Sequence, residues 1–184
     1  MRVRDATEAD VVDIAALYGH YVLHGSGSFE YAPPPPSEMA ARLRAVKDHG
    51  LPYLVAEVDG RFAGYAAATP FRPRTGYRFT VEDSVYVAPD AQRQGVGRAL
   101  LNMLISRCES LGLRQMVAVI GDSANESSVK LHRACGFEDV GVFRQVGWKH
   151  EQWLDIVMMQ RALGKGGDAP PTADGLQIVE RYGR

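Results

Sequence analysis

Apolar residues recur along this chain with two periods. Val11, Ala15, Tyr18 and Val22 fall near one face of a helix, as do Val96, Leu100, Met103, Leu104, Cys108 and Leu111. Shorter runs read as strands: Arg2 to Asp5, Pro52 to Val58, Arg61 to Thr69, Phe79 to Val87, Arg114 to Ile120, Phe137 to Gln145 and Gln152 to Arg161. Thr7 caps a helix reaching about Leu23, and His24 to Ser28 breaks it. Phe29-Glu30-Tyr31 is extended, Pro33 to Pro36 form a stiff link, and Ser37 caps a second helix reaching about His49. Asp59-Gly60 fits a two-residue hairpin turn with positive φ at both positions. Gly112 stops the third helix, and Asn125 to Ala134 forms a fourth, stopped by Gly136.

Strands alternating with helices at this spacing predict an α/β sheet with some antiparallel neighbours. No internal repeat is visible. Residues 1–163 form one domain. From Gly164 the chain turns Gly/Pro/Asp-rich, which predicts a mobile tail over 164–184, with Leu176-Gln177-Ile178-Val179 as a stretch able to dock.

Composition narrows the function classes. A 184-residue chain with 46% hydrophobic content builds one sizeable core. A net charge of −1 gives no case for nucleic acid or an anionic membrane surface. No apolar run approaches the roughly 20 residues of a membrane span, and Met1 to Asp13 lacks a signal-peptide core. Cys108 and Cys135 have no Cys or His at metal spacing. Both read as small buried residues of a cytoplasmic protein, and no metal is expected.

The chemistry concentrates in Gln92-Arg93-Gln94-Gly95-Val96-Gly97-Arg98-Ala99, between a strand and a helix start. The first turn of a helix has unpartnered N–H groups, and its dipole favours negative charge. Glycines at 95 and 97 let a diphosphate approach without meeting a Cβ, and Arg93 and Arg98 add positive charge. No Gly-Lys-Ser/Thr exists for a P-loop, and Leu100 stands where a dinucleotide fingerprint needs a third small residue.

The remaining pattern, Gln-x-x-Gly-x-Gly, resembles the acetyl-CoA signature of the GNAT N-acetyltransferases. Leu131-His132-Arg133-Ala134-Cys135-Gly136-Phe137 resembles that family's Leu-Tyr-x-x-x-Gly-Phe segment. Ser28-Phe29-Glu30, the run from Phe71 to Val87, and Gly147-Trp148-Lys149-His150 resemble the phosphinothricin and methionine sulfoximine acetyltransferase group. The resemblance implies the GNAT acyl-CoA N-acyltransferase fold, a mixed, largely antiparallel twisted sheet with helices on both faces. It implies acetyl-CoA as co-substrate, a small amino-acid-like amine as acceptor, and a homodimer. Methionine sulfoximine, methionine sulfone and phosphinothricin are the acceptors it implies. Acetylation of a peptide N-terminus and a non-catalytic acetyl-CoA sensor are the alternatives.

The implied reaction is attack of a neutral amine on a thioester. It needs a base, or a water chain ending in one, and donors for the developing oxyanion. Glu82, a carboxylate in a largely apolar strand, is the candidate base; the plain alternative is an outward-facing charge. His132 is the candidate proton donor to the leaving thiolate, with Tyr86 and Tyr77 as rivals and a surface histidine as the plain alternative. The resemblance implies that the Val87 amide, beside a bulge, polarises the thioester. It also places Tyr86, the loop from Gln92 to Ala99, Asn125 and Ser128 on the cofactor. Asn125 reads equally as a helix cap. Arg72 and Arg74 can point at one anion, or form a solvated basic loop. With Phe29, Glu30, Phe71, Tyr77, Lys149 and His150 they make the expected acceptor site, where Glu30 meets the substrate ammonium.

Overall fold

The structure is a computed structural model and describes residues 1–178. Its strands are β1 (Arg2–Asp5), β2 (Tyr53–Val58), β3 (Arg61–Pro70), β4 (Thr80–Val87), β5 (Gln115–Gly121), β6 (Glu138–Lys149) and β7 (Gln152–Ala162). Its helices are α1 (Val11–His24), α2 (Pro36–Asp48), α3 (Val96–Ser110) and α4 (Glu126–Ala134). The strands form one open sheet in the order β1-β2-β3-β4-β5-β7-β6. Neighbours run antiparallel except β4 and β5, which are parallel and joined through α3.

Burial shows why the sheet is layered. Tyr53 to Ala56 of β2 and Ala63 to Ala68 of β3 are buried without alternation, so both faces of these strands are covered. The helices α1, α2 and α3 pack there. On α3 the buried stripe is Val96, Leu100, Leu101, Leu104, Ile105 and Cys108, whereas Met103 and Leu111, expected on it, are exposed. Asp59 and Gly60 take φ of 50° and 76°, as the turn between β2 and β3 requires.

Several local expectations change. Thr7 does cap a helix start, but that of a short 3-10 turn ahead of α1, with Asp10 closing a capping box. The Thr7 backbone N–H and hydroxyl both donate to the Asp10 carboxylate, at 2.7 and 2.9 Å, and Arg4 clamps the same carboxylate at 2.6 and 2.8 Å. The second helix starts at Pro36, whose fixed φ suits a first helical position, so Ser37 lies inside it. β6 continues past Gln145 to Lys149, with irregularities between Asp139 and Gly141 and between Phe143 and Gly147. Its turn to β7 is made by His150 and Glu151, both at positive φ (51° and 58°) without a glycine to announce it. The tail is packed as far as it is described. Arg114 donates to the carbonyls of Gly166 (2.8 Å) and Ala169 (2.6 Å). The Leu176 amide donates to Arg78 O (2.8 Å), and the Leu176 side chain is buried. Val179 lies outside the described residues.

The Arg4 guanidinium holds the Asp10 carboxyl down at about 2, from an ordinary 3.8, against the opposing effect of burial. A depressed carboxylate stabilises the fold above its unfolded pKa and loses that contribution as pH falls through the folded one. Asp10→Asn is therefore expected to destabilise the fold by about 2 kcal/mol at neutral pH, with the deficit vanishing towards pH 2. Urea denaturation of both proteins across that range checks it.

Candidate active site

β4 and β5 pair only from Thr80↔Gln115 to Asp83↔Ala118, then part. Ala88 N donates to Ala63 O and Phe71 N to Thr80 O, so even-numbered residues of β4 turn their backbone groups to β3. Odd-numbered ones face β5. Beyond Asp83 the N–H groups of Val85 and Val87 therefore open into the gap without a strand partner. The expected bulge is not in β4, whose register with β3 runs unbroken from Val81 to Val87. Strand divergence exposes the amides instead. Tyr21, which the sequence did not single out, ties this end: its hydroxyl donates to Val87 O (2.7 Å) and accepts from Gln92 Nε2 (3.1 Å).

The gap continues into a cleft of about 950 Å³ bordered by the first turn of α3. Gly95 precedes that helix at φ 82°, with no side-chain cap, and a Cβ added there would meet nothing within 4 Å. Among the described residues, Ala99 is the first of α3 to bond back, to Gly95 O (3.0 Å). The amides of Val96, Gly97 and Arg98 are left for an anion. Gly97 has a different reason to be small. A Cβ there would lie 3.1 Å from Leu131 of α4 and 3.4 Å from Val87, so its absence lets α3, α4 and β4 close together. Gln94 braces the loop through Asp90 O (2.9 Å), while Arg93 and Arg98 are exposed. On the opposite wall Asn125 caps α4, accepting from Ser128 N (3.3 Å).

Glu82 and Asp83 are neighbours on one strand and so point to opposite faces. Glu82 is half-buried and lines the cleft. Its pKa is raised, first by burial and then by the Asp83 charge, with Arg72 opposing. Asp83 was not foreseen. It is buried, and its Oδ2 lies 3.0 Å from Nε2 of His132. His132 is not a surface histidine: it is 4% exposed, and Nδ1 lies 2.7 Å from Ser128 O and 3.3 Å from Ser128 Oγ. Burial favours the neutral ring, but the Asp83 hydrogen bond and charge, with the Ser128 carbonyl, outweigh it and raise its pKa. Tyr86 stacks on Tyr65 (5.1 Å between centroids), and burial raises its hydroxyl pKa, keeping it protonated.

The expected acceptor residues separate into two groups. Arg72 sits over the Phe71 ring (4.6 Å) and lies near enough to Glu82 to influence its charge. Phe71 and Tyr77 line a second, apolar pocket of about 270 Å³ with Thr80, Val117 and Met158. Val117 stands opposite Glu82 in the sheet register. Arg74 donates to its own loop at Pro73 O (2.9 Å). Glu30 is already engaged by Arg42 (2.8 Å) and Tyr18 (2.9 Å); burial pushes its pKa up, and these two partners outweigh it and lower it. Lys149 is 2% exposed and donates to Gly25 O (2.9 Å) and Ser28 O (2.6 Å), fixing the loop that carries Phe29. Phe29 lines the cleft and presses on Gly147, where any Cβ would clash. His150 is exposed in the β6–β7 turn.

This geometry, with open amides between two parting strands and an uncapped helix, agrees with the comparison to known proteins. The profile of the Acetyltransferase (GNAT) family matches residues 19–137. The chain belongs to the GNAT acetyltransferase family. It is 54% identical over 169 residues to a phosphinothricin N-acetyltransferase of Alcaligenes faecalis, covering 92% of this chain and 86% of that one. It is 40% identical to an L-methionine sulfoximine/L-methionine sulfone acetyltransferase of Pseudomonas aeruginosa, covering 91% and 98%. The crystal structure of a GNAT superfamily phosphinothricin acetyltransferase from Sinorhizobium meliloti in complex with acetyl-CoA superposes with a TM-score of 0.90. It is 48% identical, covering 93% of this chain and 92% of that one.

The cleft of this GNAT enzyme suits acetyl-CoA on its own terms. The α3 amides and exposed Arg93 and Arg98 offer a diphosphate site, and the parted strands offer main-chain donors for a long amide-bearing arm. Packing at Gly97 makes this wall sensitive. Gly97→Val is expected to cost about 1–3 kcal/mol by forcing α3 from α4. It is also expected to weaken acetyl-CoA binding, whereas Gly97→Ala is milder. Thermal denaturation and calorimetric titration with CoA check both.

Proposed function

We propose that this chain is a cytoplasmic, homodimeric acetyl-CoA-dependent N-acetyltransferase acting on the amino group of phosphinothricin, methionine sulfoximine and methionine sulfone, and that it detoxifies such compounds. The observation that carries the reading is Glu82, a half-buried carboxylate of raised pKa at the point where β4 and β5 part, directly opposite Val117. Glu82 takes the proton from the acceptor ammonium, directly or through water, and the free amine attacks the thioester. The amides of Val85 and Val87 hold the carbonyl oxygen as its charge grows. His132 supplies the proton to the leaving thiolate. Arg72 orients the acceptor's acidic end, and the pocket of Phe71, Tyr77 and Val117 takes its aliphatic chain. No helix among the described residues is long and apolar enough to cross a membrane. The homodimer reading is supported by the bare apolar side chains of β6 and β7: Val140, Val142, Phe143, Val146, Trp148 and Trp153 are 44–62% exposed.

CoA thiol release with a panel of amines tests the assignment. Saturable turnover with the three named acceptors, and little with a short peptide, is expected; turnover with the peptide alone overturns the acceptor class. Glu82→Gln is expected to lower kcat by about 10²–10³-fold with little change in acetyl-CoA affinity. Because a base works deprotonated, activity rises with pH along a limb whose midpoint lies above the ordinary carboxylate value. Arg72→Ala removes the opposing charge and moves that limb to higher pH. Light scattering on Phe143→Asp checks the dimer: a monomer is expected, and an unchanged dimer places the interface elsewhere.

A further inference from the structure

His132 has both ring nitrogens engaged, and neither points freely at the cleft. Nε2 meets Asp83 Oδ2 at 3.0 Å on the buried side. Nδ1 lies between Ser128 O at 2.7 Å and Ser128 Oγ at 3.3 Å. The side chains are 5% and 1% exposed for His132 and Asp83, and Phe137 packs edge-on against the ring (5.0 Å). The two carboxylate oxygens differ: among the described residues Oδ1 of Asp83 is buried without a hydrogen-bond partner. A carboxylate so placed has one compensating neighbour, the ring. Two acceptors on either side of an imidazole, Asp83 and the Ser128 carbonyl, select the form with a proton on each nitrogen. Ser128 itself is half-buried and lines the cleft, so this residue borders both the ring and the ligand space.

We propose that Asp83, His132 and Ser128 form one proton relay: Asp83 is a positioning residue that closes Nε2, and the ring delivers its proton from Nδ1 through the Ser128 hydroxyl to the departing CoA thiolate. The step balances. As the C–S bond breaks, sulfur takes the Ser128 Oγ proton, Oγ takes the Nδ1 proton, and the ring is left neutral with Nε2–H still on Asp83. Solvent returns a proton to Nδ1; the acceptor nitrogen gives two protons to solvent by way of Glu82, one before attack and one as the tetrahedral adduct collapses, so each turnover releases one net proton. Among the described residues, the other titratable groups that feel the Asp83 charge are Glu82 and two thiols. Cys108 on α3 is pushed up to about 12 by burial. Cys135 at the end of α4 is also raised by burial, against Arg98 and Arg161. Glu82 faces the other side of the sheet. The inference rests on the acetyltransferase reading above, which wild-type turnover tests by itself.

The experiment compares two acetyl donors in wild type, Ser128→Ala and Asp83→Asn. With acetyl-CoA the thiolate needs a proton; with 4-nitrophenyl acetate the weakly basic leaving group needs none. Both variants are expected to lose about 10²-fold in kcat with acetyl-CoA and distinctly less with the aryl ester. With acetyl-CoA, the alkaline limb of kcat, where the ring loses its proton, is expected at lower pH in Asp83→Asn. Parallel losses with both donors would show a structural role and overturn the relay. Full kcat of Ser128→Ala with acetyl-CoA overturns it also, and this half-exposed site folds even where Asp83→Asn does not. Where wild type accepts no aryl ester, the alkaline limb decides, and an unmoved limb in folded Asp83→Asn refutes the proposal.

Discussion

Everything at the site depends on two parallel strands that stop pairing. β4 and β5 share a ladder for four residues and then separate. A backbone amide is an obligatory donor, and a buried one without a partner is costly. The amides of Val85 and Val87 are therefore committed to whatever enters the gap. The same parting sets the N-termini of α3 and α4 on either side of it, since each helix follows one of the two strands. One terminus is uncapped and preceded by a left-handed glycine; the other is capped by Asn125. Ligands of open α/β sheets collect beyond the carboxyl ends of parallel strands for this reason.

The second organising feature is a pair of adjacent carboxylates given different surroundings. The pleat sends Glu82 to one face and Asp83 to the other. Glu82 keeps access to the cleft, and burial raises its pKa above the ordinary carboxylate value. Asp83 is sealed against His132 and serves that ring alone. One strand thus presents one carboxylate to the cleft and holds an imidazole with the other.

The acceptor side is organised by scaffolding rather than by open charges. Lys149 and Glu30 both lie close to the loop of Gly25 to Ser28, and each is paired within the protein, Lys149 with carbonyls and Glu30 with Arg42 and Tyr18. They set the position of Phe29 and through it the wall of the cleft. Tyr31 adds a hydrogen bond from the same loop to Trp148 O. The β6–β7 hairpin is thereby tied to the mouth of the site, and its apolar outer residues stand beside it.

Much was legible in the residues alone, because the signals are local. The 3.6 and 2 periods, the Asp59-Gly60 turn, the glycines at 95 and 97 and the cap at Asn125 each depend on a few neighbours in sequence. They sufficed for the element order and the glycine turn before α3, while Glu82 and His132 became candidates with the family resemblance. The Phe71 to Val87 run carried the family resemblance. Other facts depend on residues far apart in the chain. That Asp83 meets His132 spans 49 positions; that Lys149 holds Ser28 spans 121. The β6–β7 turn, with His150 and Glu151 at positive φ, has no glycine to mark it. Nor does composition show that Gly164 to Ile178 lies packed on Arg114 and Arg78, because that depends on which carbonyls meet which guanidinium. The sequence by itself determined the elements and the residue types able to hold a diphosphate and move a proton. Only the tertiary structure decided which of those charges remain open to a ligand and which are consumed, because pairing and burial are properties of residues brought together by the sheet.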